Sequence, residues 1–148
     1  MALAAHDAND RASQMISLSE RLTGLLERET ELFRNRKPQD AAAIADEKGG
    51  LARIYRAETS RIAKDPALIG DADAALKSDL RDATVRFNQA LNDNHQASSA
   101  IRTITQGLVH SVATEVANKR AAKTGYGATG TNNNTTTAMS AITLDKRV

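Results

Sequence analysis

Residues 76–123 read LKSDLRDATVRFNQALNDNHQASSAIRTITQGLVHSVATEVANKRAAK, a stretch without proline that decides the fold class. One column of positions seven residues apart holds Leu80, Phe87, Asn94, Ile101, Leu108 and Glu115. Beside it run Leu76, Ala83, Ala90, Ala97 and Ile104, together with Leu91 and Val112. A sustained seven-residue repeat of this kind marks a helix packed along one seam. The stretch therefore predicts a single long helix that begins after Pro66 or at Asp71 and ends near Lys123. About 50 residues at 1.5 Å each would span roughly 75 Å.

Working outward, Pro38 and Pro66 are the only prolines, and each falls where an amphipathic pattern pauses. Because proline breaks a helix interior, they divide residues 1–123 into three helices. The first is expected from Asp7 or Asp10, either of which can cap it, to about Arg36. Its seam residues are Met15, Leu18, Leu22, Leu25 and Leu32. The second is expected over about Pro38 to Lys64, with Ile44, Leu51, Ile54, Tyr55 and Ile62 on one face. Gly49 and Gly50 interrupt it, and each costs about 1 kcal/mol relative to Ala in a helix interior. Such a pair implies either a local break or a close approach of a neighbouring backbone. Since the heptad phase continues from Ile44 to Leu51, close approach is the expectation.

Composition agrees with long helices. Of 148 residues, 60 are hydrophobic, but 27 of these are Ala, and Leu, Ile, Val and Phe together supply only 28. That is thin for a globular core. With 20 basic and 18 acidic residues the net charge is only +2, so the scarcity does not carry the high charge of a disordered chain. A narrow helical stripe needs few large side chains. The absence of Cys excludes a disulfide scaffold and a thiol enzyme. No apolar run approaches the roughly 18–20 residues that span a bilayer, and no leader pattern opens the chain, so a cytoplasmic protein without a membrane span is expected. Charges of both signs interleave from Arg11 to Lys123 without a dense basic cluster, which argues against a nucleic-acid partner.

Residues 124–148 are a different polymer, with Gly125, Gly127, Gly130, Asn132 to Asn134 and seven Thr, and only three charged residues. These residue types are poor helix formers. Two regions result: 1–123, an antiparallel helical hairpin packed on a longer third helix, and 124–148, a flexible low-complexity tail. Within the tail, Ala138, Met139, Ala141, Ile142 and Leu144 form a short apolar segment that either docks or ends a disordered arm. No catalytic or metal constellation is present. His6, His95 and His110 are far apart, and the tail glycines neither follow a strand nor open a helix as a phosphate loop does. Neither an enzyme nor a cofactor protein is expected.

Two charged residues stand on the predicted seams. Glu29 lies between Leu25 and Leu32, and Lys48 between Ile44 and Leu51. They lie nine residues before and ten residues after Pro38, so an antiparallel hairpin brings them to similar heights. They either pair and fix register or extend outward to water. The hairpin is also shorter than the third helix, where Ile101, Ile104, Leu108, Val109, Val112 and Val116 crowd the second half. Such an aliphatic face is covered by a foreign partner, by a second copy in a weak homodimer, or by a bend of the helix near Gly107.

Taken together, Leu22, Leu25, Glu29 and Leu32, then Asp40, Ile44, Glu47, Lys48 and Leu51, then Asn88, Asn92 and Asn94, resemble the FlgN-type flagellar export chaperones. The run Thr124-Gly125-Tyr126-Gly127-Ala128-Thr129-Gly130 is similar to that family's element after its long helix. The resemblance covers about residues 10–130, and Gly49-Gly50 departs from it. It implies a cytoplasmic chaperone that keeps hook-filament junction (hook-associated) proteins unpolymerised and delivers them to the flagellar type III export apparatus. On that basis the client surface comprises Ile101, Ile104, Leu108, Val112 and Val116, completed by Tyr126, Gly127 and Gly130. The competing expectation is a self-associating coiled-coil protein that acts as a tether and has no secretion client.

Overall fold

The structure is a computed structural model that describes residues 3–124. The described residues are helical, with no strand among them: α1 (Ala8–Arg34), a 3-10 turn (Pro38–Ala41), α2 (Ala42–Lys64), a four-residue α3 (Ala67–Gly70) and α4 (Ala74–Thr124). The chain divides into two compact units, Met1–Arg102 and Thr103–Val148. The all-α class expected from the seven-residue repeat is the class observed.

Local chemistry sets the boundaries. Asp7 caps α1 from an extended conformation, its carboxylate accepting from the Asp10 N–H at 2.8 Å. A cap of this type is worth about 1 kcal/mol. At the other end, the Lys37 N–H donates to the Leu32 carbonyl and the Arg36 N–H to that of Phe33, at 2.8 and 3.1 Å, while Arg36 takes a left-handed φ of 58°. This paired closure ends the helix two residues before the Arg36 expected from sequence. Pro38 then opens a 3-10 turn rather than the α-helix itself. Pro66 likewise opens only the single turn of α3, and the long helix starts at Ala74.

Within the first unit, cross-helix pairs give direction. Arg11 and Glu29 of α1 meet Glu58 and Lys48 of α2, so those helices are antiparallel. Asn9, Glu20 and Glu29 meet Asp73, Arg86 and Asn94 in rising order, so the first half of α4 runs parallel to α1. The core is narrow. Met15, Leu18 and Leu22 form its buried cluster, with Leu51, Ile54, Tyr55 and Ile62 from α2 and Leu80 and Phe87 from α4 packed against it. The Tyr55 and Phe87 rings lie 4.8 Å apart and tilted, a favourable aromatic geometry. Leu25, Leu26 and Ile44 are buried as well, and Ala83 and Ala90 are the buried positions of α4. Leu91, expected beside the seam, is exposed instead.

Gly49 and Gly50 correct an expectation. α2 continues through both, and a Cβ built at either meets nothing within 4 Å. No neighbouring backbone approaches, because the seam passes through Ile44, Lys48 and Leu51 and leaves these two positions beside it. Replacing either glycine by Ala removes an entropic cost without a clash, and each change is expected to raise stability by about 0.5–1 kcal/mol. Urea unfolding measures this directly; a loss of stability would restore the close contact expected from sequence.

Candidate functional site

Two polar centres and one apolar face distinguish this chain from a plain helical hairpin. At the first centre, Glu29 of α1 is 6% exposed. The Lys48 ammonium donates to its two carboxylate oxygens at 2.8 and 2.6 Å. The Asn94 amide of α4 donates to Glu29 Oε2 at 2.9 Å and to the Leu26 carbonyl at 3.4 Å. One carboxylate thus joins three helices. Of the other two Asn residues in the cluster noted from sequence, Asn88 and Asn92, both are exposed.

The second centre was not anticipated from the sequence. Glu58 is completely buried, and Arg11 nearly so. Arg11 donates to Glu58 Oε2 at 2.6 Å, while the other oxygen accepts from Arg61 at 3.0 Å and from the Leu3 N–H at 2.9 Å. Burial pushes the Glu58 carboxyl up. The Leu3 N–H, the Arg61 hydrogen bond and the positive charges of Arg61 and Arg11 outweigh it, holding the group below its ordinary value of 4.5. The same contacts tie Leu3, ahead of α1, onto the α1–α2 pair. A sequence signal existed: Glu58 continues the three-four spacing of Leu51, Tyr55 and Ile62, and Arg11 stands four residues before Met15. Asp10 nearby is also held low, by the Gln14 side chain and then by the His6 N–H.

The apolar face belongs to the second unit. Ile104, Leu108, Val109, Val112 and Val116 are 40%, 62%, 40%, 59% and 41% exposed. At about 100° per residue these five side chains fall within an arc of about 140° on one side of the helix. Ile101, placed with them in the sequence reading, is half-buried and lies in the first unit. Tyr126, Gly127 and Gly130 lie outside the described residues. Among the described residues no helix is long and apolar enough to cross a membrane, and no group of three or more His, Asp or Glu side chains is arranged to hold a metal ion.

Long packed helices, charged seam positions and an exposed aliphatic row define an all-α protein. The sequence is 40% identical over 148 residues to the flagellar basal-body protein FlbY of Caulobacter vibrioides, with 99% of each chain covered. The chain belongs to the family of that protein. No protein-family model matches the chain, and no solved structure does.

The Glu58 geometry carries a pH prediction. A carboxyl held low contributes stability that is complete above its unfolded value near 4.5 and is lost as pH falls through the lowered folded value. Glu58→Ala leaves Arg11 buried without its partner and is expected to cost about 3–5 kcal/mol at pH 7. Urea unfolding of both proteins should show the difference shrinking below pH 4.5. A constant difference from pH 7 down to full acid unfolding would contradict this role for the carboxylate.

Proposed function

We propose that this chain serves flagellar assembly as a cytoplasmic export chaperone. It binds the amphipathic terminal helices of hook-filament junction proteins, prevents their premature polymerisation and delivers them to the type III export apparatus. The observation that carries the reading is the row of five aliphatic side chains between Ile104 and Val116, each 40% exposed or more. A helix that presents such a row fits an amphipathic helix of a client, whose own apolar face is unsatisfied before assembly. The family relation to a flagellar basal-body protein supports a flagellar setting. The resemblance of Glu29, Lys48 and Asn94 to seam positions of FlgN-type chaperones supports the export role. The Glu29–Lys48 pair sets the hairpin register, and Tyr126, Gly127 and Gly130 complete the client surface.

The relative's name favours a second reading, in which the chain is a structural part of the basal body. A photo-crosslinking amino acid at Leu108, introduced into cells that are assembling flagella, separates the two. The chaperone reading expects crosslinks to an exported junction protein, and at least a tenfold loss of affinity for that client in Leu108→Asp with helicity unchanged, a loss of about 1.4 kcal/mol. Crosslinks confined to resident basal-body proteins would establish the structural reading. Crosslinks confined to a second copy would establish the self-associating tether.

A further inference from the structure

The second unit carries charge beside its aliphatic row. From Thr103 to Thr124 the chain has Lys119, Arg120 and Lys123 against the single carboxylate of Glu115, and all four side chains are exposed. Glu115 is taken up by Lys119, one helical turn away at 2.9 Å. Arg120 and Lys123 have no ion-pair partner among the described residues. A helix C-terminus favours cations on any side, but these two stand on the side of the row. At about 100° per residue, Lys123 falls inside the arc of the five aliphatic side chains and Arg120 about 20° past its edge. They follow Val116 by seven and four residues, about 10 and 6 Å along the axis. We propose that the Ile104–Val116 row takes a protein partner whose docking segment is an acidic amphipathic helix, with Asp or Glu placed just beyond the end of its apolar stripe to meet Arg120 and Lys123. The partner's identity as an export client rests on the reading above; its acidic character rests on the charges beside the row.

Charge decides against a second copy. Two antiparallel copies paired over the row, with Ile104 opposite Val116 and Leu108 opposite Val112, put Arg120 opposite Ala100 and Lys123 opposite Ala97. Residues 97–105 contain no Asp or Glu and do contain Arg102, so the cations meet a further cation. Two parallel copies in register set Arg120 and Lys123 against themselves. Like charges facing each other across such a pair destabilise it. An anionic membrane suits the row no better. Helices that lie in a bilayer surface keep Lys and Arg on the polar face and carry Trp, Phe and Leu on the other. Here the row has one Leu and no aromatic side chain, and Lys123 continues the apolar arc instead of facing away from it. A helix with carboxylates at the matching height satisfies both features. Its apolar side chains cover the aliphatic row, and its carboxylates end opposite cations that otherwise lack a partner. Complementary charge of this kind selects the partner and its register more than it adds affinity.

Synthetic peptides of about 25 residues, long enough to hold a helix, test this on the full chain. Three peptides share one aliphatic stripe and differ only in the two residues placed after it, which are Glu, Gln or Lys. By fluorescence anisotropy at low salt the Glu peptide should bind about fivefold tighter than the Gln peptide, a margin in keeping with two exposed ion pairs, and the Lys peptide most weakly. The preference should vanish in Arg120→Gln/Lys123→Gln, which leaves the row intact, and at about 1 M salt, where the Debye length is about 3 Å. Leu108→Asp should abolish binding of all three. Equal affinity for the three peptides, binding of none of them, or a preference that survives the paired Arg120 and Lys123 change would overturn the proposal. So would association with phosphatidylglycerol vesicles alone, or a dimer of the free chain that excludes every peptide. The Leu108 crosslinks keep the two readings apart. Preference for the Glu peptide in a chain that crosslinks to no junction protein retains the acidic partner and removes the export role. A junction protein bound equally well by the parent and by Arg120→Gln/Lys123→Gln retains the export role and removes the acidic contact.

Discussion

Arg11–Glu58 and Lys48–Glu29 close the α1–α2 seam toward its opposite ends, and a shift of register breaks both at once. Sliding one helix by a single residue turns its side chains by about 100° and separates both pairs. Each pair contains a carboxylate that is nearly or wholly buried, so a misregistered hairpin leaves charge in a low-dielectric seam. That penalty exceeds anything a few exchanged Leu–Leu contacts return. Neither pair needs to add much net stability in order to discriminate among registers. This suits a chain in which Leu, Ile, Val and Phe supply just under a fifth of the residues. The same Glu29 accepts from Asn94, so the hairpin's register also fixes the height at which α4 lies beside it.

Much of the fold was legible because helical periodicity is a local signal. Met15, Leu18, Leu22 and Leu25 are buried as the spacing required, and Lys48 meets Glu29. What escaped was Glu58, which sits on the same three-four spacing but breaks its apolar character. Spacing marks Glu58 as a seam position but does not name its partners, which come from Arg11, forty-seven residues away, and from the backbone of Leu3. Helix ends escaped for a similar reason. The left-handed Arg36 and the small helix α3 are set by closure hydrogen bonds rather than by pattern. Gly49 and Gly50 show the converse error, in which a strong composition signal had no packing counterpart.

The aliphatic face was legible as a concentration of large side chains after Ile101, and the structure adds that five of them are exposed. Position on a seam does not by itself reveal exposure. Ala83 and Ala90 share the repeat with Ile104 and are buried. The contrast gives α4 two kinds of surface in chain order, small residues where it packs in the first unit and bare aliphatics in the second. Membership in the family of a flagellar basal-body protein is the setting in which the proposed client contact is read.

If buried charge pairing selects the α1–α2 register, a double-mutant cycle at Glu29 and Lys48 must show coupling between them. Each single charge reversal, Glu29→Lys and Lys48→Glu, should destabilise by about 3 kcal/mol or more by leaving like charges in the seam. The exchanged pair should recover more than half of the summed loss, because opposite charges again meet at one height. Additive losses in the double variant would mean that the two side chains do not depend on each other, and that the register is set by apolar packing alone.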